Sequence, residues 1–224
     1  MKVAAYTASR NLYKDMIPAV NSLLAHSDVD VVYFLIEDDE FPYPLSEKVE
    51  CINISQQTYF PKDSANYSNR FTYLVLIRAA FAKIFPYDKI LSLDVDTIVD
   101  KDISDIWDLP VDDYYFSAAL EPYCSKGGVY EKMDEYYNVG VTLYNLKKLR
   151  DDGKVDEVIK ALNEVPYDFL EQDCFNRLCE GHILEMPSDY NACEWTKPTG
   201  NPKIVHYAGI KEWNHFPLIN KYRY

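Results

Sequence analysis

The stretch Lys89-Ile90-Leu91-Ser92-Leu93-Asp94-Val95-Asp96 reads as a short apolar strand that delivers two carboxylates with one residue between them. Side chains alternate faces along a strand, so residues two apart project to the same side and Asp94 and Asp96 are expected to converge on one ion. The spacing alone does not single them out, because Asp-x-Asp occurs also at Asp28/Asp30 and Asp100/Asp102. Context separates the three. Asp28/Asp30 precede the apolar run Val31 to Ile36 and sit at a strand's entry. Asp102 stands before Ile103-Ser104-Asp105-Ile106-Trp107, where it reads as the N-cap of a short helix. Asp94/Asp96 alone end a strand, and in open α/β sheets ligands bind beyond the carboxyl ends of strands. The bland alternative is an acidic strand-to-loop turn.

Outward from this stretch, apolar runs of strand length alternate with helical periodicity. Strands are expected at Lys2 to Thr7, Val31 to Glu37, Ile90 to Asp94, Phe116 to Leu120, Val139 to Leu146, His182 to Met186 and Ile204 to Tyr207. Helical faces are formed by Met16, Val20, Leu23 and Leu24, by Leu74, Ile77, Phe81 and Ile84 ahead of Pro86, and by Val155, Val158, Ile159 and Leu162. The rhythm predicts a Rossmann-like α/β/α sandwich around a mainly parallel mixed sheet. Two stretches break it: Ser55 to Asn69, and Glu121 to Tyr137, which carries Gly127-Gly128 among four tyrosines. Loops of this length are usually lids or binding loops, or else mobile, and the second is read as a binding loop.

With 224 residues and no Gly/Ser/Pro-rich divide, the chain reads as a single domain spanning 1–224. A net charge of −13 disfavours a broad grip on nucleic acid. A metal-bridged diphosphate remains compatible, since the ion brings its own positive charge. No apolar run approaches the ~20 residues of a membrane span, and Met1-Lys2 leads directly into a strand rather than a signal peptide. The five cysteines are odd in number, show no C-x-x-C spacing, and read as reduced thiols of a cytoplasmic protein, with Cys174 and Cys179 as core filler. The terminal Asn220-Lys221-Tyr222-Arg223-Tyr224 is too short for stable membrane anchoring and allows at most peripheral contact.

Five segments taken in order carry a family resemblance: Leu91 to Val99 with its Asp94-Val95-Asp96, Ile103 to Leu109, Tyr137-Asn138-Val139-Gly140-Val141 and on to Leu146, Glu171-Gln172-Asp173, and Val205-His206-Tyr207-Ala208-Gly209-Ile210-Lys211-Glu212-Trp213. Together they resemble glycosyltransferase family 8, and the match runs from the first strand to Trp213. The resemblance implies a GT-A fold, a UDP-sugar donor, a carbohydrate or glycan acceptor, and retaining, metal-dependent transfer of a hexose, glucose or galactose foremost. It implies that Asp94, Asp96 and His206 bind Mn²⁺, with Mg²⁺ the second candidate. Two hard carboxylates and one imidazole suit such an ion.

The remaining assignments follow from the same resemblance, each beside a plainer reading. His206 on its own would be a structural histidine ending a strand, and His215 is a weaker alternative ligand. Arg78 matches a donor-binding arginine, although an arginine beside an apolar helix face often only snorkels outward. Asn138 corresponds to a residue holding sugar hydroxyls, or else is a turn residue at a strand's entry. Gln172 is implied to lie by the anomeric carbon and, at roughly 200° of helical rotation from Leu170, to point away from the stripe Leu170, Cys174 and Leu178. Glu171 stands where the family more often has Asp, and Asp168 to Glu171 also has capping-box spacing. Thr7, Asn11 and Tyr13 occupy the turn implied to hold the nucleoside, with the usual acidic residue missing; Tyr13 could equally staple the helix that follows. Val95 and Gly209 complete the expected donor surround. Lys211 follows Gly209 with one intervening residue where two are usual. The competing functions are a nucleotidyltransferase, for which no Gly-rich or basic phosphate loop follows the first strand, and a non-catalytic nucleotide-sugar-binding relative.

Overall fold

The chain, seen in a computed structural model that describes residues 1–68, 71–122, 133, 135–210 and 212–223, is organised around one seven-stranded sheet. Its strands are β1 (Val3–Thr7), β2 (Val31–Ile36), β3 (Val49–Asn53), β4 (Lys89–Leu93), β6 (Phe116–Leu120), β7 (Tyr137–Asn145) and β8 (Ile183–Met186), in the order β3-β2-β1-β4-β7-β6-β8. The pairings of β7 with β4 and β6 are antiparallel and the others parallel, as expected for a mainly parallel mixed sheet. A second sheet pairs β5 (Thr97–Val99) with β9 (Ile204–His206).

Period-two alternation places each strand's residues in two cores. Val3, Ala5, Ile90, Phe116 and Tyr144 face one side, where α2 (Phe81–Ile84), α3 (Leu146–Asp151), α4 (Lys154–Glu164) and α5 (Leu170–Leu178) pack. Ala4, Tyr6, Phe34, Leu91, Leu93 and Val141 face the other, covered by α1 (Tyr13–Ala25) and a 3₁₀ turn at Ile106–Asp108. Trp107 from that turn donates to the Val3 carbonyl at 3.0 Å, satisfying the indole N–H inside the core. Cys174 and Cys179 are fully buried among the apolar side chains, as expected.

The strand order reverses direction of growth between β1 and β4, the switch at which an open α/β sheet leaves a crevice. The helix expected from Leu74 to Ile84 forms, but as a tight 3₁₀ helix over Tyr73–Ala80 that relaxes into α2. Phe85 turns extended ahead of Pro86, because a residue before proline is driven out of the helical region. The strands β3 and β5 fall outside the sequence reading. β3 is a largely exposed edge whose Val-Glu-Cys-Ile-Asn shows no clean alternation, and β5 has three residues.

The segment after Ser55 is tied down rather than free. Ala65 donates to the Asn163 carbonyl at 2.9 Å, Asn163 Nδ2 to the Tyr59 carbonyl at 2.9 Å, and the buried Asn66 bridges the end of α4. Its Nδ2 reaches the carbonyls of Leu162 and Val165 at 2.6 and 2.7 Å, and its Oδ1 accepts from the Tyr167 amide at 2.9 Å. Most of Glu121 to Tyr137, the expected binding loop, lies outside the described residues. Replacing Asn66 with Ala strands three backbone groups, and the expected cost is about 2–3 kcal/mol, read as a lowered denaturation midpoint at unchanged m-value.

Candidate active site

The cavity at the switch point is lined by Thr7 and Ala8 from the end of β1, by Asp94, Val95 and Asp96 after β4, by Val139 and Gly140 of β7, by Arg78, and by Leu170, Glu171 and Gln172 of α5. The two aspartates do not converge by strand alternation. β4 ends at Leu93, and Asp94 to Thr97 form a turn in which the Thr97 amide and hydroxyl both donate to the Asp94 carbonyl, at 3.2 and 2.6 Å. The turn is then locked from outside. β5 pairs with β9 in a register that sets Thr97 opposite His206, and Tyr207 donates its amide to the Asp96 carbonyl at 2.9 Å.

That pairing brings His206 Nε2 to 3.3 Å from Asp96 Oδ1 and 3.6 Å from Asp94 Oδ2. One ligand atom from each of Asp94, Asp96 and His206 lies within 4.8 Å of the others, the group among the described residues able to hold a metal ion. His215 is exposed and not part of it. Burial drives the His206 imidazole down, but Asp96 overrides it, with Asp94 adding, and the ring sits well above the ordinary histidine value. Burial pushes Asp94 up, with Arg78 opposing and Asp96 reinforcing. Asp96 ends below the usual carboxylate range because His206 outweighs burial.

Arg78 does not snorkel. It is buried, with Nη1 at 2.7 Å from Asp94 Oδ1 and 3.2 Å from the Val139 carbonyl, and Nη2 at 2.6 Å from Glu171 Oε1. Burial lowers its pKa, and Asp94 and Glu171 more than restore it. Glu171 makes no capping box: Asp173 takes the helix-start role, accepting from the Phe169 amide at 2.9 Å. Glu171 is buried instead, which pushes its carboxyl up to about 7 against the pull of Arg78. The stripe expected on α5 is wrong in extent, because Glu171, Asp173 and Asn176 are buried as well as Leu170 and Cys174. The donor set, two carboxylates and one imidazole within reach of one another, fits a divalent cation.

The backbone of β7 supplies the rest. Its pairing with β6 shifts between Ala118, opposite Thr142, and Ala119, opposite Asn138, so Val139 and Gly140 keep backbone groups for other partners. Gln172 Oε1 accepts from the Val139 amide at 3.1 Å, and its Nε2 donates to the Tyr136 hydroxyl at 3.0 Å. Tyr136 in turn donates to Asp173 Oδ1 at 2.6 Å. Asn138 Oδ1 accepts from the Gly140 amide at 3.0 Å. The Gly140 carbonyl accepts from Asp94 at 2.8 Å. A Cβ on Gly140 would stand 2.2 Å from His206 Cε1 and 2.9 Å from Asp94 Oδ2. A glycine inside a strand marks such a close approach, and this signal was present in Asn-Val-Gly-Val. Tyr136, Asp173 and Asn191, which the sequence reading did not select, carry no comparable mark.

Other expected residues lie elsewhere. Tyr13 is buried beneath Phe41, its hydroxyl accepting from the Glu37 amide and donating to Asp38 Oδ2, so it serves the core at the start of α1. Asn11 is exposed, accepts from Ser9 Oγ at 2.5 Å, and does not line the cavity. Arg10, in the same turn, is paired with Asp38. Gly209 adopts a left-handed φ of 72° in the turn after Tyr207, a conformation that favours glycine. Lys211 lies outside the described residues. The rival acidic pairs are structural: Asp28 and Asp30 hold Lys2, and Asp102 accepts from the Ser104 amide in a turn that precedes the short 3₁₀ helix at Ile106.

A switch-point cavity with an Asp-x-Asp turn, a distant histidine and a buried arginine, on this sheet order, defines the GT-A class of α/β proteins. Residues 6–216 match the family described as glycosyl transferase family 8, and the chain belongs to it. It is 25% identical over 227 residues to the glycosyltransferase GlyA of Streptococcus pneumoniae, covering 94% of this chain and 32% of that protein. It is 24% identical over 177 residues to the lipopolysaccharide 1,2-glucosyltransferase of Escherichia coli, covering 66% and 52%. The fold is shared with the crystal structure of the galactosyltransferase LgtC in complex with donor and acceptor sugar analogs, at a TM-score of 0.74 and 19% identity over 99% of this chain and 95% of that one. The chain spans from about a third to about half of the length of three curated relatives that it matches.

Two outcomes are expected from this geometry. Gly140→Ala forces His206 and Asp94 apart; divalent-cation affinity measured by calorimetry falls at least about tenfold while the far-UV spectrum is retained. Because Glu171 has its carboxyl raised in the folded state, that proton is held more tightly there than in the unfolded chain. Its stabilising contribution is present below the ordinary carboxylate value and lost as pH rises through about 7. The stability of the wild type relative to Glu171→Gln therefore declines over that window, by up to about 1.4 kcal/mol per pH unit, in a thermal-melt series.

Proposed function

We propose that this chain transfers a hexose, glucose or galactose foremost, from a UDP-sugar to a carbohydrate or glycan acceptor with retention of configuration, that it works in the cytoplasm, and that residues 1–224 form one GT-A domain. The observation that carries the reading is the convergence of Asp94, Asp96 and His206 within 4.8 Å of one another, with the two aspartates lining the switch-point cavity, on a chain of this family. The glucosyl- and galactosyltransferase among its relatives favour a hexose. No helix among the described residues is long and apolar enough to cross a membrane, and Cys51, Cys174, Cys179 and Cys193 are unpaired, which accords with a reducing compartment.

Asp94, Asp96 and His206 would hold the divalent cation, Mn²⁺ in the first instance and Mg²⁺ in the second. When bound, it supplies positive charge to the departing diphosphate. Arg78 engages Asp94 through Oδ1 and leaves Oδ2 turned towards His206. Glu171 keeps the buried guanidinium in place from its other side. Thr7 and Val95 sit where a donor nucleotide entering over β1 and β4 would pass, with Asn11 and Gly209 assigned to its outer edge. Gln172 is held at a fixed angle by β7 and Tyr136 and is assigned to the anomeric centre.

Among the described residues, the carboxylates lining the cavity are Asp94, Asp96 and Glu171. The first two belong to the cation cluster and the third is paired with Arg78. None is free to act as a nucleophile, which supports attack by the acceptor hydroxyl on the face from which the diphosphate leaves. The acceptor's proton then passes to the leaving diphosphate oxygen. A panel of UDP-sugars assayed by UDP release tests the reading: turnover requires Mn²⁺ or Mg²⁺, and it is abolished in Asp94→Ala/Asp96→Ala. Full activity in that variant sinks the site, and mass spectrometric detection of a glycosyl adduct on Glu171 sinks the same-face mechanism.

A further inference from the structure

Behind His206, on the side away from Asp94 and Asp96, a chain of buried polar side chains connects it to the sheet. Asn191, which follows the 3₁₀ turn Ser188–Tyr190, places its Oδ1 at 2.8 Å from His206 Nδ1. Its Nδ2 donates to Asn138 Oδ1 at 2.8 Å and lies 3.4 Å from the Asn138 carbonyl. Asn138 Nδ2 donates to Glu121 Oε1 at 2.6 Å. Asn191 has no exposed surface, and Glu121, Asn138 and His206 are each no more than 6% exposed.

The direction of every bond in this chain is set at Asn138. The Gly140 amide can only donate, so the atom it meets at 3.0 Å is the Asn138 side-chain oxygen. Asn138 therefore turns its NH₂ towards Glu121 Oε1. Two acceptors cannot face each other, so Asn191 presents NH₂ to Asn138 and its oxygen to the imidazole. The Nδ1 of His206 consequently carries a proton. The Nε2 atom, which faces Asp94 and Asp96, is the ring nitrogen left to lose its proton and offer a lone pair. With the opposite tautomer, Nδ1 and Asn191 Oδ1 would be two buried acceptors at hydrogen-bond distance, a cost of about 1–3 kcal/mol. The Cys193 thiol also bears on His206 but does not choose a tautomer, because a thiol can donate or accept.

We propose that Asn191 is a positioning residue that fixes the tautomer and ring orientation of His206 for the cation site, and that Glu121 acts through Asn138 to fix the orientation of Asn191. The inference rests on the reading of Asp94, Asp96 and His206 as cation ligands. It extends that reading to Asn191, Asn138 and Glu121, which stand outside the cluster of Asp94, Asp96 and His206. Asn138 thereby joins the β6–β7 register to the metal cluster: the β7 residue that accepts from the Gly140 amide is also the residue that orients the ligand's partner.

The test uses the whole chain with Mn²⁺ as the probe. Asn191→Leu removes the acceptor at nearly constant volume and is expected to weaken Mn²⁺ binding by about 10–100-fold in calorimetry. Independently, ¹⁵N chemical shifts of the metal-free wild type, taken at a pH where the His206 ring is neutral, are expected to report the proton on Nδ1. This measurement requires no variant to fold. Equal Mn²⁺ affinity in wild type and Asn191→Leu, or a neutral His206 with its proton on Nε2, overturns the positioning role and leaves the cation site standing. A wild type that binds no divalent cation overturns the cation reading itself, and the positioning role with it.

Discussion

Three residues of β7 carry more of this structure than any helix does. Where the pairing with β6 jumps from Thr142 to Asn138, the intervening backbone is excused from one of its two ladders. Buried amides and carbonyls must find partners somewhere, and here they find them in side chains: Gln172 on the Val139 amide, Arg78 on the Val139 carbonyl, Asn138 on the Gly140 amide. A regular strand would have satisfied these groups internally and offered nothing to orient a site. The absence of a side chain at Gly140 is the second half of the constraint, since it is the space into which His206 and Asp94 close.

Around that backbone the electrostatics are arranged as opposed pairs rather than as a neutral core. Arg78 is held between Asp94 and Glu171, and His206 between Asp94 and Asp96. Burying charges is costly unless each is paired, and each of the three carboxylates here has Arg78 or His206 against it. The break in the β6–β7 register and the unpartnered Glu171 Oε2 both fall at the cavity.

Much of this was legible in sequence, and the errors are instructive. Seven strands and the helical faces of α1, α4 and the Tyr73–Ile84 region followed from periodicity, because burial on a sheet face or helix stripe writes itself directly into residue order. The edge strand β3 and the three-residue β5 did not, since exposed or very short strands bury too little to leave a pattern. Capping-box spacing at Asp168 to Glu171 was a false signal: Glu171 turned inward because Arg78, far away in sequence, was there to meet it. Tyr13 was drawn into the core by Phe41 and the end of β2, neither of which its local sequence announces.

What the sequence determined by itself was the alternation that builds an α/β/α sandwich, the choice of Asp94/Asp96 over two identical spacings, and an ordered set of segments that marks the family. What only the tertiary structure decided was how those segments meet. His206 reaches the aspartates through a three-residue antiparallel pairing between β5 and β9, and the aspartates converge in a turn rather than along a strand. The physical reason is that periodicity encodes which side of an element is buried, whereas the direction of a hydrogen bond and the partner of a buried charge depend on atoms brought together by folding. Asn191 is the plainest case: unremarkable in its loop, it acquires a role because Asn138 and His206 arrive on either side of it.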